Sequence, residues 1–340
     1  MKKHFDKPKV TLTEVAERAG VSKMTVSKVL RNTGSISKNT RDKILKAVDD
    51  LGYVKNSLAG LLSSQKSSMV AVIIPSASDT VFAEILSGIN SVIRPQNFNT
   101  LIGETLFDPK IEYETLSTML SLQPAGLIIS SGINRSQETI DLLNNRRCPL
   151  ITLWDKNDTI GELTIGFSHF DAGQLMATHF LERGKKNIAY IGSELNIDLC
   201  AKLRFEGFRD KVLSAGLELA VESSEDLPRQ SETGEVLTRN LIEMHPDTDA
   251  IFYLNDSMAL GGLSWMYENG ISVPDEVSAA GFNGTSIGQT VMTKLTTLNV
   301  ARRSIGEAAA NAILDIINEP DVAFDGYGDV EVSFVQGTTT

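Results

Sequence analysis

Thr11-Leu-Thr-Glu-Val-Ala-Glu-Arg-Ala-Gly-Val-Ser-Lys-Met-Thr-Val-Ser-Lys-Val-Leu-Arg31 reads as two short helices joined by a glycine turn. Thr11 with Glu14 three residues on forms a capping box, Val15, Ala16 and Ala19 make one apolar stripe, and Gly20 supplies the turn. Ser22 caps the second helix. In that helix Val26, Val29 and Leu30 fall on the inner face by their i, i+3, i+4 spacing. Lys23, Thr25, Ser27, Lys28 and Arg31 point outward. A short basic helix that projects its N-terminal end in this way suits the major groove of DNA.

Charge supports this reading independently. Residues 1–66 carry 14 Lys and Arg against 6 Asp and Glu, a net +8, whereas residues 67–340 carry 18 against 37, a net −19. The overall −11 therefore hides a basic head on an acidic body. Contacts to a polyanion must come from the head. A merely lysine-rich soluble tail would give the charge without the capping, the turn and the apolar spacing.

Outward from the head, Ser37 to Leu51 reads as a third helix with Ile44, Val48 and Leu51 on one face and Gly52 as its stop. Residues 1–55 thus form a helical head. Residues 56–68, rich in Ser, Leu and Gly, form a linker that is either a flexible tether or a short helix formed on DNA with a leucine in the minor groove. Composition does not decide between the two. From Met69 onward the spacing predicts buried strands at Met69–Pro75, Thr100–Gly103, Ala125–Ser131 and Pro149–Trp154, separated by helical stretches such as Val81–Ile93 and Ile111–Leu122. The rhythm repeats with strands at Asn187–Ser193, Leu217–Val221, Ala250–Asn255 and Val277–Asn283, interleaved with Asp171–Arg183, Leu199–Ala215, Gly234–Met244 and Met258–Glu268. Two successive β-α series imply an α/β body of two parallel-sheet lobes. The first lobe is expected at about 69–167 and 296–325, the second at about 168–295 and 326–340.

Open parallel sheets bind ligands beyond the carboxyl ends of their strands. Polar residues recur there: Ser76 to Asp79 after the first strand, Asp155 after the fourth, Asn255 with Asp256, and Asn283. Any one of them reads equally well as a helix cap, but their recurrence at several strand ends points to an interlobe site. No apolar run approaches the roughly 20 residues that span a bilayer, and Met1–Val10 lacks a hydrophobic signal core. The expectation is a cytoplasmic protein without membrane attachment. Cys148 and Cys200 form no CxxC pair and give no metal signature.

The chain resembles the LacI family of bacterial transcriptional regulators nearly end to end. The resemblance is carried by the head motif, Leu51-Gly-Tyr-Val-Lys-Asn56, Arg204-Phe-Glu-Gly207-Phe208, Asn255-Asp-Ser-Met-Ala-Leu-Gly261 and Val273-Pro-Asp-Glu-Val277. It implies a homodimeric, ligand-responsive repressor whose heads bind a palindromic double-stranded operator. Two periplasmic-binding-protein-like lobes then close on a small effector, with no cofactor, and change the separation of the heads. Within the resemblance, Lys23 and Met24 match base-reading positions and Thr25, Ser27 and Lys28 match backbone and base contacts. Leu62 matches the minor-groove leucine; Thr11, Ser22, Arg31 and Asn56 complete the expected DNA-binding set. Phe82, Asp155, Phe167, Arg204 and Asn255 match effector-pocket positions, to which the strand-end reading adds Asp79 and Asn283, and the resemblance of the stretch ending at Gln289 adds Gln289.

Two departures matter. Members commonly have aspartate where this chain has Asn283, and losing that carboxylate while Arg204 remains favours an anionic ligand over a neutral sugar. Gly281-Phe-Asn-Gly-Thr-Ser-Ile-Gly-Gln289 and Ser22–Asn32 look most like the gluconate-utilisation repressors within the family, so gluconate or a close aldonate is the expected effector. Neutral-sugar members also carry an arginine at the Arg204 position, which leaves a neutral sugar as the alternative. In the linker, Lys55 and Ala59-Gly60 replace a usual proline and Ala-Arg pair, and a helical glycine costs about 1 kcal/mol relative to alanine.

Other classes fit less well. Gly284-Thr-Ser286-Ile-Gly288 matches the GxSxG elbow of serine hydrolases, but His4, His169, His179 and His245 all precede Ser286, against the chain order of that fold. A sugar-binding protein without DNA function would share the body but not the basic head. Without an apolar heptad tail after the strand-like Val330–Gln336, a dimer is expected over a tetramer, with first-lobe helices such as Val81–Ile93 as the meeting surface.

Overall fold

Each predicted helix start of the head has its capping hydrogen bonds. The computed structural model describes residues 10–31, 33–54, 67–290, 293–319 and 328–340. Asn56, Leu62 and the linker up to residue 66 lie outside them. The chain divides into two compact units, Met1–Lys66 and Ser67–Thr340.

In the first unit α1 (Leu12–Ala19), α2 (Lys23–Leu30) and α3 (Lys38–Leu51) enclose a core of Val15, Ala16, Val26, Val29, Ile44 and Ala47, with Leu30, Val48 and Leu51 packed against it. Thr11 Oγ1 accepts from Glu14 N while Glu14 Oε2 accepts from Thr11 N at 2.7 Å, closing the capping box. These hydrogen bonds, first that to the Thr11 backbone, hold the Glu14 carboxyl below its ordinary range. Gly20 at φ +67° and Gly52 at φ +63° end their helices in the left-handed conformation that favours glycine. The tight turn between α1 and α2 follows directly.

The second unit begins with a run of β-branched residues. In β1 (Met69–Ile74) Val70, Val72 and Ile74 join one core while Ala71 and Ile73 join another. A strand buried on both faces in this way belongs to the middle of a parallel sheet covered by helices on both sides. The first sheet has the order β2-β1-β3-β4-β5, with β2 at Asn99–Glu104, β3 at Gly126–Ser130, β4 at Leu150–Asp155 and β5 at Leu163–Phe167, all parallel. Helices α4 (Thr80–Ile93), α5 (Pro109–Ser121) and α6 (Gln137–Asn144) lie between its strands in sequence.

The chain then crosses into a second sheet of order β11-β10-β9-β8-β6-β7. It comprises β6 (Ile188–Ser193), β7 (Leu219–Ser224), β8 (Ala250–Tyr253), β9 (Ser278–Asn283), β10 (Thr296–Val300) and β11 (Val332–Val335), of which β11 alone runs antiparallel to its neighbour. Between them stand α7 (His169–Glu182), α8 (Leu199–Ser214), α9 (Ser231–Met244), α10 (Asp256–Glu268) and α11 (Ser286–Thr290); α12 (Arg302–Asn318) follows β10. The two-lobe α/β architecture is as expected from sequence. No helix among the described residues is long and apolar enough to cross a membrane.

Two expected boundaries are corrected: residues 328–330, expected in the second lobe, pair with Gly166 of β5 in the first sheet. Residues 296–300, expected in the first lobe, belong to the second sheet, where Thr296 to Asn299 pair in parallel with Ala280 to Asn283. The return to the first lobe comes at α12, whose Ile313 packs over Gly126 of β3. Strand β7 also runs further than its apolar residues indicate, through Glu222 and Ser224. An edge strand leaves alternate positions to solvent, so its polar half carries no hydrophobic signal. Val81, Phe82, Ile85, Leu86 and Ile89 of α4 are all spent on the core, so the apolar face of this helix is not available as the expected meeting surface of a dimer.

Candidate functional site

Two surfaces collect the sequence-predicted residues, one in each unit. On the head, Ser22 accepts from Thr25 N at 3.1 Å and so fixes the start of α2. Val26 and Val29 turn inward, which obliges Lys23, Met24 and Lys28 to stand in solvent. Met24 is 67% exposed, so its side chain is free to make an apolar contact outside the head. Arg31 is exposed and folds back to donate from Nε to the Ser27 carbonyl, while Thr25 and Ser27 are half-buried at the helix flank. α2 carries no acidic residue. A short helix with two lysines, a methionine and hydroxyls on its outer side carries side chains of the types that can contact phosphates and base edges.

In the body, the carboxyl ends of the two sheets meet at a cleft. The first lobe contributes Asp79, Val81 and Phe82 around the start of α4, Phe107 after β2, Ser131 after β3 and Trp154 of β4. The second contributes Asp198 and Arg204 of the α8 segment, Arg229 before α9, Leu254 and Asn255 after β8, and Phe282 with Asn283 at the end of β9. The loop that carries Ser131 is held by Arg135, which donates to the Ser130 carbonyl and pairs with Glu112 and Asp158.

Arg204 dominates the electrostatics. It is 4% exposed; Nη1 donates to His169 Nδ1 and Nη2 to the Leu254 carbonyl, both at 3.0 Å, and the guanidinium lies 3.8 Å over the Phe282 ring. Its Nε finds no hydrogen-bond partner, and among the described residues no carboxylate lies within 4.0 Å of it. Burial draws its pKa down from the ordinary value. Because a guanidinium only donates, His169 must accept at Nδ1. Burial, and then the Arg204 charge, hold that histidine well below its usual range and therefore neutral. A desolvated guanidinium of this kind is left without a counterion among the described residues.

Arg229 differs. Its Nη1 pairs with Asp198 at 2.5 Å and its Nε with Glu194 at 2.9 Å, and it lies 4.6 Å over the Phe107 ring. Burial opposes its charge, but these two carboxylates hold its pKa above the ordinary value. Asp79 caps α4 by accepting from Val81 N at 2.9 Å and stands at the cleft wall, where enclosure by protein pushes its carboxyl up. Asn255 caps α10 through Met258 N and donates to the Arg229 carbonyl. For Asp79 and Asn255 the helix-cap and cleft readings thus hold together. Asn283 has φ +105°, and its buried Oδ1 is without a hydrogen-bond partner.

Three predicted cleft residues stand elsewhere. Asp155 accepts from the backbone and side chain of Asn157 and is not among the lining residues. Its neighbour Trp154, on the opposite side by strand alternation, lines the cleft instead. Burial raises the Asp155 carboxyl as well. Phe167 packs behind the wall, 5.1 Å from Trp154 and 4.3 Å from His169 between ring centroids. Gln289 donates to the Leu295 carbonyl and faces away from the lining. Sequence reading missed Phe107, Ser131, Trp154, Asp198 and Arg229. Asp198 as the cap of α8 and Ser131 directly after a strand carried a signal of position; Arg229, in a loop without periodicity, carried none. In the GxSxG-like stretch, Thr285 rather than Ser286 is engaged, donating through N and Oγ1 to Asp256.

Comparison with known proteins matches residues 11–56 to the bacterial regulatory proteins of the lacI family and residues 177–340 to a periplasmic binding protein-like domain. The HTH-type transcriptional regulator GntR of Pseudomonas aeruginosa is 34% identical over 313 residues, 92% of this chain and 90% of that protein. Among solved structures, a LacI-family transcriptional regulator from Silicibacter pomeroyi superposes with a TM-score of 0.92 at 36% identity, covering 97% of this chain and 99% of the other. The lac repressor dimer bound to operator and the anti-inducer ONPF gives 0.82 at 26% identity, covering 98% and 99%.

Proposed function

The chain belongs to the LacI family of bacterial regulatory proteins, and from that membership we propose that it is a cytoplasmic, homodimeric repressor of sugar-acid utilisation genes, released from a palindromic operator by gluconate or a close aldonate. Lys23 and Met24 reach base edges, and Lys28 and Arg31 hold phosphates. The effector sits in the interlobe cleft with its carboxylate on Arg204 and its hydroxyls on Asp79, Ser131 and Asn283. The observation that carries this reading is Arg204, a buried guanidinium with an unfilled Nε–H and no carboxylate partner among the described residues.

Asparagine at 283 fits the same ligand. An aspartate there would place a third carboxylate in a cleft that already holds Asp79 and Asp198, and would repel an acid while favouring a neutral polyol. Isothermal titration with gluconate and with glucose tests this. Wild-type protein binds gluconate selectively. Arg204→Ala abolishes that binding, and Asn283→Asp weakens it about 30-fold, on the order of 2 kcal/mol. Binding of glucose in preference to gluconate overturns the acid assignment and leaves the family membership intact.

A further inference from the structure

Arg302, the first residue of α12, belongs to none of the roles above, yet it is 5% exposed and touches both lobes. Its Nε pairs with Glu84 Oε2 of α4 at 3.0 Å. Its Nη1 donates to the Asn283 carbonyl and, at 3.2 Å, to that of Val300, and its Nη2 donates to the Gly284 carbonyl at 3.4 Å. One planar fork thus fastens the end of β9 in the second lobe to a helix of the first.

Both ends of this strap are firmly seated. A Cβ at Gly88 would lie 2.2 Å from the Arg303 carbonyl oxygen, and one at Gly306 would lie 2.1 Å from that of Ile85. The backbones of α4 and α12 therefore touch, with no side chain between them at these two glycines. At the other end, Asp256 grips Thr285 through N at 2.5 Å and Oγ1 at 2.8 Å, and also takes the Thr297 hydroxyl at 2.6 Å. The segment between the two grips is Asn283-Gly284, and Asn283 is the cleft residue with positive φ and an unpartnered Oδ1.

We propose that Arg302 is a positioning residue that transmits occupancy of the cleft at Asn283 to the α4–α12 pair. A donor from the ligand that fills Asn283 Oδ1 selects one backbone arrangement of residues 283–284. The two carbonyls of that arrangement are the acceptors of Arg302, so the ligand's preference becomes a preference in how α12 sits against the second lobe. The inference rests on the effector reading of the cleft and assigns its regulation.

The test uses full-length protein and three variants, Arg302→Met, Arg302→Lys and Glu84→Gln. Gluconate affinity is measured by calorimetry. Operator affinity is measured by fluorescence anisotropy with and without saturating gluconate. In Arg302→Met, gluconate and operator each bind within about threefold of wild type, while the loss of operator affinity caused by gluconate shrinks at least fivefold. Arg302→Lys, which keeps the charge without the fork, and Glu84→Gln fall between. An unchanged gluconate response in Arg302→Met overturns the proposal, as does a loss of gluconate binding equal to the loss of response. If Arg302→Met fails to fold by circular dichroism, an unchanged response in both other variants overturns it. If wild-type protein ignores gluconate, the ligand assignment falls by itself. The strap is then read by hydrogen exchange of the Gly284 and Thr285 amides, which opens about tenfold faster in Glu84→Gln and Arg302→Lys if Arg302 holds the turn and is unchanged if it does not.

Discussion

The outer side of α2 and the interlobe cleft are built on opposite principles. On α2 the candidate residues lie within one short stretch, exposed or half-buried, and are positioned by a few buried neighbours, chiefly Val26 and Val29. In the cleft they are scattered from Asp79 to Asn283 and largely enclosed, and each is placed by a different strand end or helix start. Exposed lysines keep their charge in solvent and meet phosphate as solvated cations. Arg204, by contrast, is desolvated in advance and holds an unsatisfied N–H. The head is therefore suited to salt-sensitive binding of a long polyanion, and the cleft to enclosing one small molecule, on the proposed reading an anion.

The comparison breaks most sharply where one unit is destroyed and the other spared. Val26 is wholly buried in the head core. Val26→Asp places a charge there at a cost of about 3–5 kcal/mol, enough to unfold three short helices. Operator binding is expected to fall at least 100-fold with gluconate affinity unchanged within twofold, read by anisotropy and calorimetry on the same sample; parallel loss of both would show that the units do not act separately. A somewhat smaller effect is confined to the body. Burial raises the Asp256 carboxyl to about 6 from 3.8, so the folded body holds this proton more tightly than the unfolded chain does. Stability present below pH 4 is lost as pH rises to about 6, on the order of 3 kcal/mol from this group. Asp256→Asn removes that contribution, and urea denaturation at pH 4.5 and 7.5 should show a smaller pH effect on body stability in the variant than in wild type. The smallest effect sharpens the view of the head: Lys28→Ala should lower the salt dependence of operator binding by about one unit of slope, with affinity for gluconate unmoved.

The same contrast explains what the sequence made legible. Capping, turn and inner face of the head lie within Thr11–Arg31 because helix signals are local, and the structure has each of them. Eight of the parallel strands of the body were visible as apolar runs, whereas β5 (Leu163–Phe167) and β10 (Thr296–Val300) were not named as strands. The cleft was legible where a predicted polar residue also caps a helix, as Asp79 and Asn255 do. It was misread by one residue at Asp155, since alternation along β4 brings Trp154 to the lining instead. Arg229, Phe107 and the Arg302 strap depend on pairings across more than a hundred residues or between loops, for which neither spacing nor composition carries a signal. The placement of β10 in the second sheet was hidden for the same reason: its strand order is a matter of long-range pairing.

The measurement closest to the central claim is release of operator DNA from the full-length protein, followed by fluorescence anisotropy during parallel titrations with gluconate and glucose. The account predicts at least a tenfold loss of operator affinity with gluconate and none with glucose. Release by glucose and not by gluconate would contradict it, and would mean that Arg204 is a structural cation rather than the carboxylate receptor of the cleft.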